Sequence, residues 1–183
     1  MTVPTTAPHA ATWAAKLRTP FAVLGVRTDG RAVTHLTYLP RDERAQAPAD
    51  AVAARLALEV DRYLADPEFR FMVPLAPTGT PFQQRVWHAL GAIAPGQSRT
   101  YGEVARMVRS APRAVGQACG ANRIALVIPC HRVVAAMGSL GGFMGVAGAT
   151  KGASRSDALA EEDGPIAIKR WLLRHEGYRF GDH

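Results

Sequence analysis

Ile124-Ala125-Leu126-Val127-Ile128-Pro129-Cys130-His131-Arg132-Val133-Val134 is the stretch on which the reading of this chain turns. An apolar run ends at a proline, a thiol and an imidazole follow directly, and branched apolar residues resume. A continuous apolar run bounded by a breaker predicts a buried extended strand over 124–128. Pro129, with no N–H and a fixed φ, takes the chain out of regular pairing. Cys130 and His131 therefore stand on a bend at the end of a buried element, where side chains can be aimed into a pocket. Neighbours in a regular strand face opposite ways, so cooperation between the two needs irregular backbone or a linking water. Taken alone, a free cysteine is most often a small buried hydrophobe, and a lone histidine a satisfied structural one. Nucleophile and base are the sharper alternatives, and the rest of the chain has to decide.

At 183 residues the chain fits one ordinary domain or two small ones, with enough length for a core. The 48% apolar and 20% charged residues are those of a soluble globular protein. No segment approaches the roughly 20 apolar residues that a membrane helix needs. Met1 to Pro8 lacks the basic start and apolar segment of a secretory signal, so the cytoplasm is the expected location. Cys119 and Cys130 form neither a disulfide framework nor a zinc spacing, and the histidines are scattered, so no metal is expected. The net charge of +7, mostly from arginine, favours an anionic partner, nucleic acid being the commonest.

Residues 1–18, Thr/Pro/Ala-rich at first, read as a mobile start. Phe21–Val26 and Ala32–Leu39 read as strands joined by an Asp29-Gly30 turn. From Ala49 to Ala65, Val52, Leu56, Val60 and Leu64 recur every fourth residue, the stripe of an amphipathic helix. Phe69–Leu75 reads as a further short strand. Pro74 to Pro81 reads as a linker between two lobes, 1–78 and 79–183. Thr80, Pro81 and Gln83 predict a capped helix start, with Phe82, Val86, Leu90 and Ile93 as its buried stripe.

Tyr101–Val108 and a helix from Pro112 to about Ala121 follow, a helix-turn-helix candidate. The second helix is made of small residues, Ala114, Gly116, Ala118, Cys119, Gly120 and Ala121, with Arg113 its one long charged side chain. Such a helix either packs closely on another helix or lies close against DNA. Glycines then recur from Gly138, and residues 144–165 read as a long loop without periodicity. Ile166–His175 is the last helix, stopped by Gly177. Glu176 at its C-terminus faces the negative end of the helix dipole, so it is either solvated or held by a cationic partner such as His131.

In this order, Gly79-Thr80-Pro81-Phe82-Gln83-Gln84-Arg85-Val86-Trp87, Tyr101, Arg113-Ala114-Val115-Gly116, Asn122, the Pro129-Cys130-His131-Arg132 core and Trp171-Leu172-Leu173-Arg174-His175-Glu176-Gly177 resemble the O6-alkylguanine-DNA alkyltransferases. The resemblance implies an α/β fold class: a small ribonuclease-H-like N-terminal lobe and a mainly helical C-terminal domain with a helix-turn-helix. It implies DNA repair by base flipping, with Cys130 taking the alkyl group of O6-alkylguanine once and irreversibly. O4-alkylthymine is a second candidate substrate. His131 would be the base, acting through a water, Glu176 its orienter, and Asn122 would hold the turn before the cysteine. Double-stranded DNA would be gripped through the minor groove by Tyr101, Arg113, Ala114, Gly116, Gln117 and Gly120. Arg113 would fill the vacated stack and Tyr101 crowd the rotating phosphate. Val133, Phe143 and Met144 would line the base pocket, the Cys130 and Val133 carbonyls accepting from the guanine amine. The implied protein needs no cofactor, no metal and no membrane, and acts as a monomer, with cooperativity on DNA left open.

Two departures stand out. Phe143 occupies a place where the family usually has tyrosine, and the segment from Phe143 to Lys169 is longer than usual. An enlarged pocket wall with broader alkyl tolerance is the expected consequence. A non-catalytic DNA-binding relative is the main rival reading, and Cys130 speaks against it. A Cys-His hydrolase and a plain transcriptional regulator fit less well.

Overall fold

The structure, a computed structural model, describes residues 12–136, 139–145 and 164–179. The first unit is an antiparallel meander of β1 (Ala15–Arg18), β2 (Val23–Thr28) and β3 (Val33–Leu39), in the order β1-β2-β3. Asp29 Oδ1 takes the N–H groups of Arg31 and Ala32 at 2.8 Å, which closes the β2–β3 turn at Gly30. Helix α1 (Ala51–Ala65) is capped by Asp50 and lays Ala53, Leu56, Val60 and Tyr63 on the core. Helix α2 (Pro81–Gly91) starts with the expected Thr80–Gln83 capping box. Then come β4 (Arg99–Thr100), α3 (Tyr101–Met107), α4 (Pro112–Gly120), a 3-10 turn at Cys130–Arg132, β5 (Val133–Val134) and α5 (Pro165–His175).

One continuous apolar core runs through both halves, from Leu24, Leu36 and Leu56 to Val86, Leu90, Val104, Val115, Ile124 and Leu172. The parallel β4–β5 pair sets Arg99 beside Val133 and Thr100 beside Val134. That pairing brings the start of α3 next to the Cys-His turn. Trp87 Nε1 donates to Ala118 O at 2.8 Å, which pins α4 against α2. At the other end, α5 closes with paired turns: Gly177 N–H to Arg174 O at 2.9 Å and Tyr178 N–H to Leu173 O at 2.9 Å. Gly177, at φ 77°, takes the left-handed position this motif requires.

Three expectations fail. Residues 12–18 are not a mobile start: Ala15–Arg18 is a strand, paired with β2 from Ala15–Val26 to Arg18–Val23. The rest of that expectation, residues 1–11, lies outside the described residues. Phe69–Leu75 is not a strand. Glu59 takes the N–H groups of Met72 and Val73 at 2.8 and 2.9 Å, and Arg55 donates to Met72 O at 2.9 Å, so helix side chains satisfy backbone that a neighbouring strand would otherwise pair. Only Leu75 makes a bridge, to Val33.

The buried run 124–128 is not a strand either. Leu36 grips only its start, through Leu36 N–H to Arg123 O at 2.8 Å and Ala125 N–H to Leu36 O at 3.1 Å. Leu126 then adopts φ 72°, and Ile128 N–H bonds back to Ile124 O at 3.0 Å. A branched apolar side chain rarely enters the left-handed region. Here Leu126 is only 2% exposed, and its burial offsets that cost.

Candidate active site

Local geometry first explains why Cys130 points where it does. Pro129 sits at φ −83° and ψ 65°, the centre of an inverse γ-turn, and Cys130 N–H bonds back to Ile128 O at 2.8 Å. The 3-10 turn follows at once, with Arg132 N–H on Pro129 O at 3.0 Å. The irregular backbone expected between Cys130 and His131 is therefore present, and the two side chains part company. Asn122 locks the approach. Its amide Nδ2 donates to Ile128 O at 2.9 Å and to Cys130 Sγ at 3.4 Å, while its Oδ1 accepts from Ile124 N–H at 3.0 Å.

Behind the turn lies a buried charged cluster. His131 is fully buried, and its Nε2 meets Glu176 Oε1 at 2.9 Å. The same carboxylate receives Arg132 Nε and Nη2 and the Tyr63 hydroxyl, each at 2.9 Å. Burial by itself would raise the Glu176 carboxyl, but the hydrogen bonds of His131 and Arg132, together with the Arg132 charge, outweigh it and hold it at about 2. An ionised carboxylate only accepts, so the His131 proton must sit on Nε2. The lone pair is then on Nδ1, which has no partner among the described residues. Burial keeps the imidazole below its ordinary pKa despite Glu176, which favours the neutral form with a free Nδ1 lone pair. The Cys130 thiol is pushed up by burial, against the pull of Asn122 and Lys169, so at rest it keeps its proton. A thiol in that state needs a base to become a nucleophile.

On the opposite side Cys130 opens on a cleft of about 910 Å³. One wall is α4: Val115 and Ala118 face the core, while Arg113, Gly116, Gln117, the largely buried Cys119 and Gly120 line the cleft. Facing them are Gly142, Phe143 and Met144, with Tyr101 closing one end. Tyr101 donates its hydroxyl to Gly142 O at 3.0 Å, and Lys169 Nζ donates to Val133 O, Leu140 O and Gly142 O at 2.6, 2.6 and 3.0 Å. Gly141, at φ 67°, passes so close to the Tyr101 ring that a Cβ would lie 3.0 Å from it. The loop opposite α4 is thus held by a lysine and a phenol from two helices.

Most of the expected residues meet at this cleft. Cys130, Tyr101, Arg113, Gly116, Gln117, Gly120, Phe143 and Met144 all line it. Ala114 does not; it is half-buried on the flank of α4. Val133 is fully buried, and its carbonyl already accepts from Lys169, leaving one lone pair for any further donor. The long 146–163 segment lies outside the described residues. Three residues of the site escaped the sequence reading: Lys169, Arg132 as a carboxylate partner, and Tyr63. Lys169 had a signal, since it falls between Ile166 and Leu172 on the buried stripe of α5. Tyr63 had none, being 113 positions from Glu176.

Comparison with known proteins matches the part of the chain that carries this cleft, and in several cases more. The family model of the 6-O-methylguanine DNA methyltransferase DNA-binding domain matches residues 81–178. A methylated-DNA–protein-cysteine methyltransferase of Methanosarcina mazei is 37% identical over 134 residues, covering 69% of this chain and 85% of that protein. One of Mycobacterium leprae is 44% identical over 100 residues, 54% of this chain and 61% of that protein. The crystal structure of Mycobacterium tuberculosis OGT in complex with DNA superposes with a TM-score of 0.69 at 34% identity, covering 88% of this chain and 90% of that one.

Proposed function

Because this chain belongs to the 6-O-methylguanine DNA methyltransferase family, we propose that Cys130 is the residue through which it repairs DNA, by taking the alkyl group of O6-alkylguanine onto its sulfur. One observation carries the assignment. Cys130 opens onto the same cleft as the small-residue face of α4, with a proton acceptor of fixed tautomer behind it.

The step balances simply. The thiol proton passes through a water to His131 Nδ1, and the thiolate attacks the alkyl carbon in line. The S–C bond forms, the C–O6 bond breaks, and the electron pair stays on the departing guanine. A thioether has no proton to give back, so each chain reacts once. Glu176 fixes the imidazole and stabilises the imidazolium, while Asn122 holds the sulfur toward the cleft.

The DNA side of the reading rests on shape. The atoms under attack lie inside the base stack, so the nucleotide has to be flipped out to reach Cys130. In α4, Gly116 and Gly120 offer no bulk to hold a minor groove away, and Arg113, exposed at the head of the helix, is placed to enter the vacated stack. Helices α3 and α4 then act as a helix-turn-helix, with Gln117 as a polar contact and Ala114 on the flank. Phe143 and Met144 wall the base, and main-chain groups of the turn read its edge. Residues 1–78, read as a ribonuclease-H-like lobe, support this 79–183 half. The protein works as a cytoplasmic monomer on duplex DNA. Among the described residues no helix is long and apolar enough to cross a membrane.

A titration tests this directly. Increasing protein is added to a fixed amount of duplex carrying one O6-methylguanine, and repaired guanine is counted at the plateau. One lesion repaired per chain, and none by Cys130→Ala, is the expected result. Many repaired per chain would mean a turnover enzyme of another kind; tight binding without repair would mean a DNA-binding module.

A further inference from the structure

Among the described residues three buried side-chain polar atoms have no hydrogen-bond partner, and two of them, His131 Nδ1 and the hydroxyl of Tyr38, bear on the Cys130 turn. Tyr38 comes from β3, far from the motif in sequence. Leu36, two residues before it on the same inward face, is the residue that bridges to Ile124 at the start of the Cys130 turn. The Tyr38 ring then reaches the cleft wall, its centroid 5.9 Å from that of Phe143. Tyr38 is 8% exposed. Burial above all, then the neighbouring Cys130, Tyr63 and Glu176, push its phenol up, so it is a neutral O–H able to donate.

We propose that Tyr38 is a positioning residue for the proton relay, its hydroxyl being the third hydrogen-bond partner of one buried water that links Cys130 Sγ to His131 Nδ1. The inference rests on the reading of Cys130 and His131 given above. Among the described residues Sγ is bonded only to Asn122 and Nδ1 to nothing, so no direct thiol–imidazole hydrogen bond carries the proton. A buried water typically makes about three hydrogen bonds. Sγ and Nδ1 supply two, and the otherwise unpaired phenol supplies the third. The thiol proton goes to the water oxygen, a water proton goes to Nδ1, and Tyr38 keeps its own proton throughout.

Tyr38→Phe keeps the ring and its contacts with Phe21 and Phe143 and removes only the hydroxyl. Single-turnover methyl transfer at saturating O6-methylguanine duplex should slow about fivefold, the loss of one hydrogen bond. Duplex affinity and Tm should not fall. An unchanged rate with an equal or higher Tm would overturn the proposal, since the hydroxyl would then be merely unsatisfied. Parallel loss of Tm and affinity would overturn it too, by marking a structural role. Iodoacetamide alkylation of Cys130 in the free protein, followed by peptide mass, separates this from the wider reading. A parent that takes no methyl from DNA refutes the Cys130 assignment, whereas an alkylation rate unaltered by Tyr38→Phe refutes the role of Tyr38.

Discussion

Glu176 and Lys169 both place a buried charge against the Cys130–Val134 turn, one from the end of α5 and one from its middle. Glu176 receives the Arg132 guanidinium, the His131 imidazole N–H and a phenol. Lys169 donates to three carbonyl oxygens and, among the described residues, meets no counter-ion, with the Tyr101 and Phe143 ring centroids 5.9 Å from its nitrogen. The consequences have opposite signs. The pairing overcomes burial at Glu176 and favours its charge. At Lys169 burial prevails and lowers the ammonium to about 8, with the cysteine thiols opposing. Glu176 therefore anchors the fold and the His131 ring together, whereas Lys169 spends stability to hold the loop across the cleft from α4.

The comparison breaks most visibly if Glu176 is removed. Glu176→Ala strands Arg132 and His131 in the interior and should cost about 3–5 kcal/mol of stability in denaturant melts. It should also slow methyl transfer, since the imidazole loses its fixed tautomer. A variant as stable as the parent would show that the cluster adds nothing to folding. Lys169→Met is expected to cost less, about 1–3 kcal/mol, because it removes a penalised charge while leaving three carbonyls short of a donor. Its larger effect should be on transfer rate, through a loosened Gly142–Met144 wall.

Acid and base titrations sharpen the contrast. A carboxyl lowered from 4.5 to about 2 contributes stability that is present above pH 4.5 and lost as the pH falls toward 2. That contribution is of order 3 kcal/mol, and Glu176→Gln should flatten that limb of the Tm profile. A lysine lowered from 10.5 to about 8 gives a slope of the same sign at higher pH, but from the relief of a penalised charge. Between those values the unfolded chain binds the extra proton, so stability rises with pH across the window, and Lys169→Met should abolish the rise. The smallest change in stability belongs to Arg113→Ala, within about 0.5 kcal/mol for an exposed side chain. Its effect should appear instead in weaker binding to lesion-bearing duplex.

What the sequence disclosed follows from how local each device is. The Thr80–Gln83 capping box and the Gly177 stop involve residues within one turn of each other, and both are where the pattern placed them. The run at 124–128 misled because its apolar content reports burial, and burial alone does not separate a strand from a turn held by Asn122 and a left-handed Leu126. Residues 15–18 become a strand only beside β2, which their composition does not announce. The thiol, imidazole and carboxylate were legible because the motif carries them in a recognisable order. Tyr63, Tyr38 and Lys169 join them across the fold, where spacing along the chain has no voice.

Cys119 lines the same cleft as Cys130 and provides the sharpest internal rival for the alkyl group. Burial and then Cys130 push its thiol to about 12, and no base is bonded to it among the described residues. The most direct measurement is therefore the mass of the whole protein and of its peptides after reaction with duplex containing O6-methylguanine. One methyl per chain, on the peptide bearing Cys130 and never on that bearing Cys119, is the predicted result. A methyl on Cys119, or an unmodified chain bound tightly to the lesion, would contradict it.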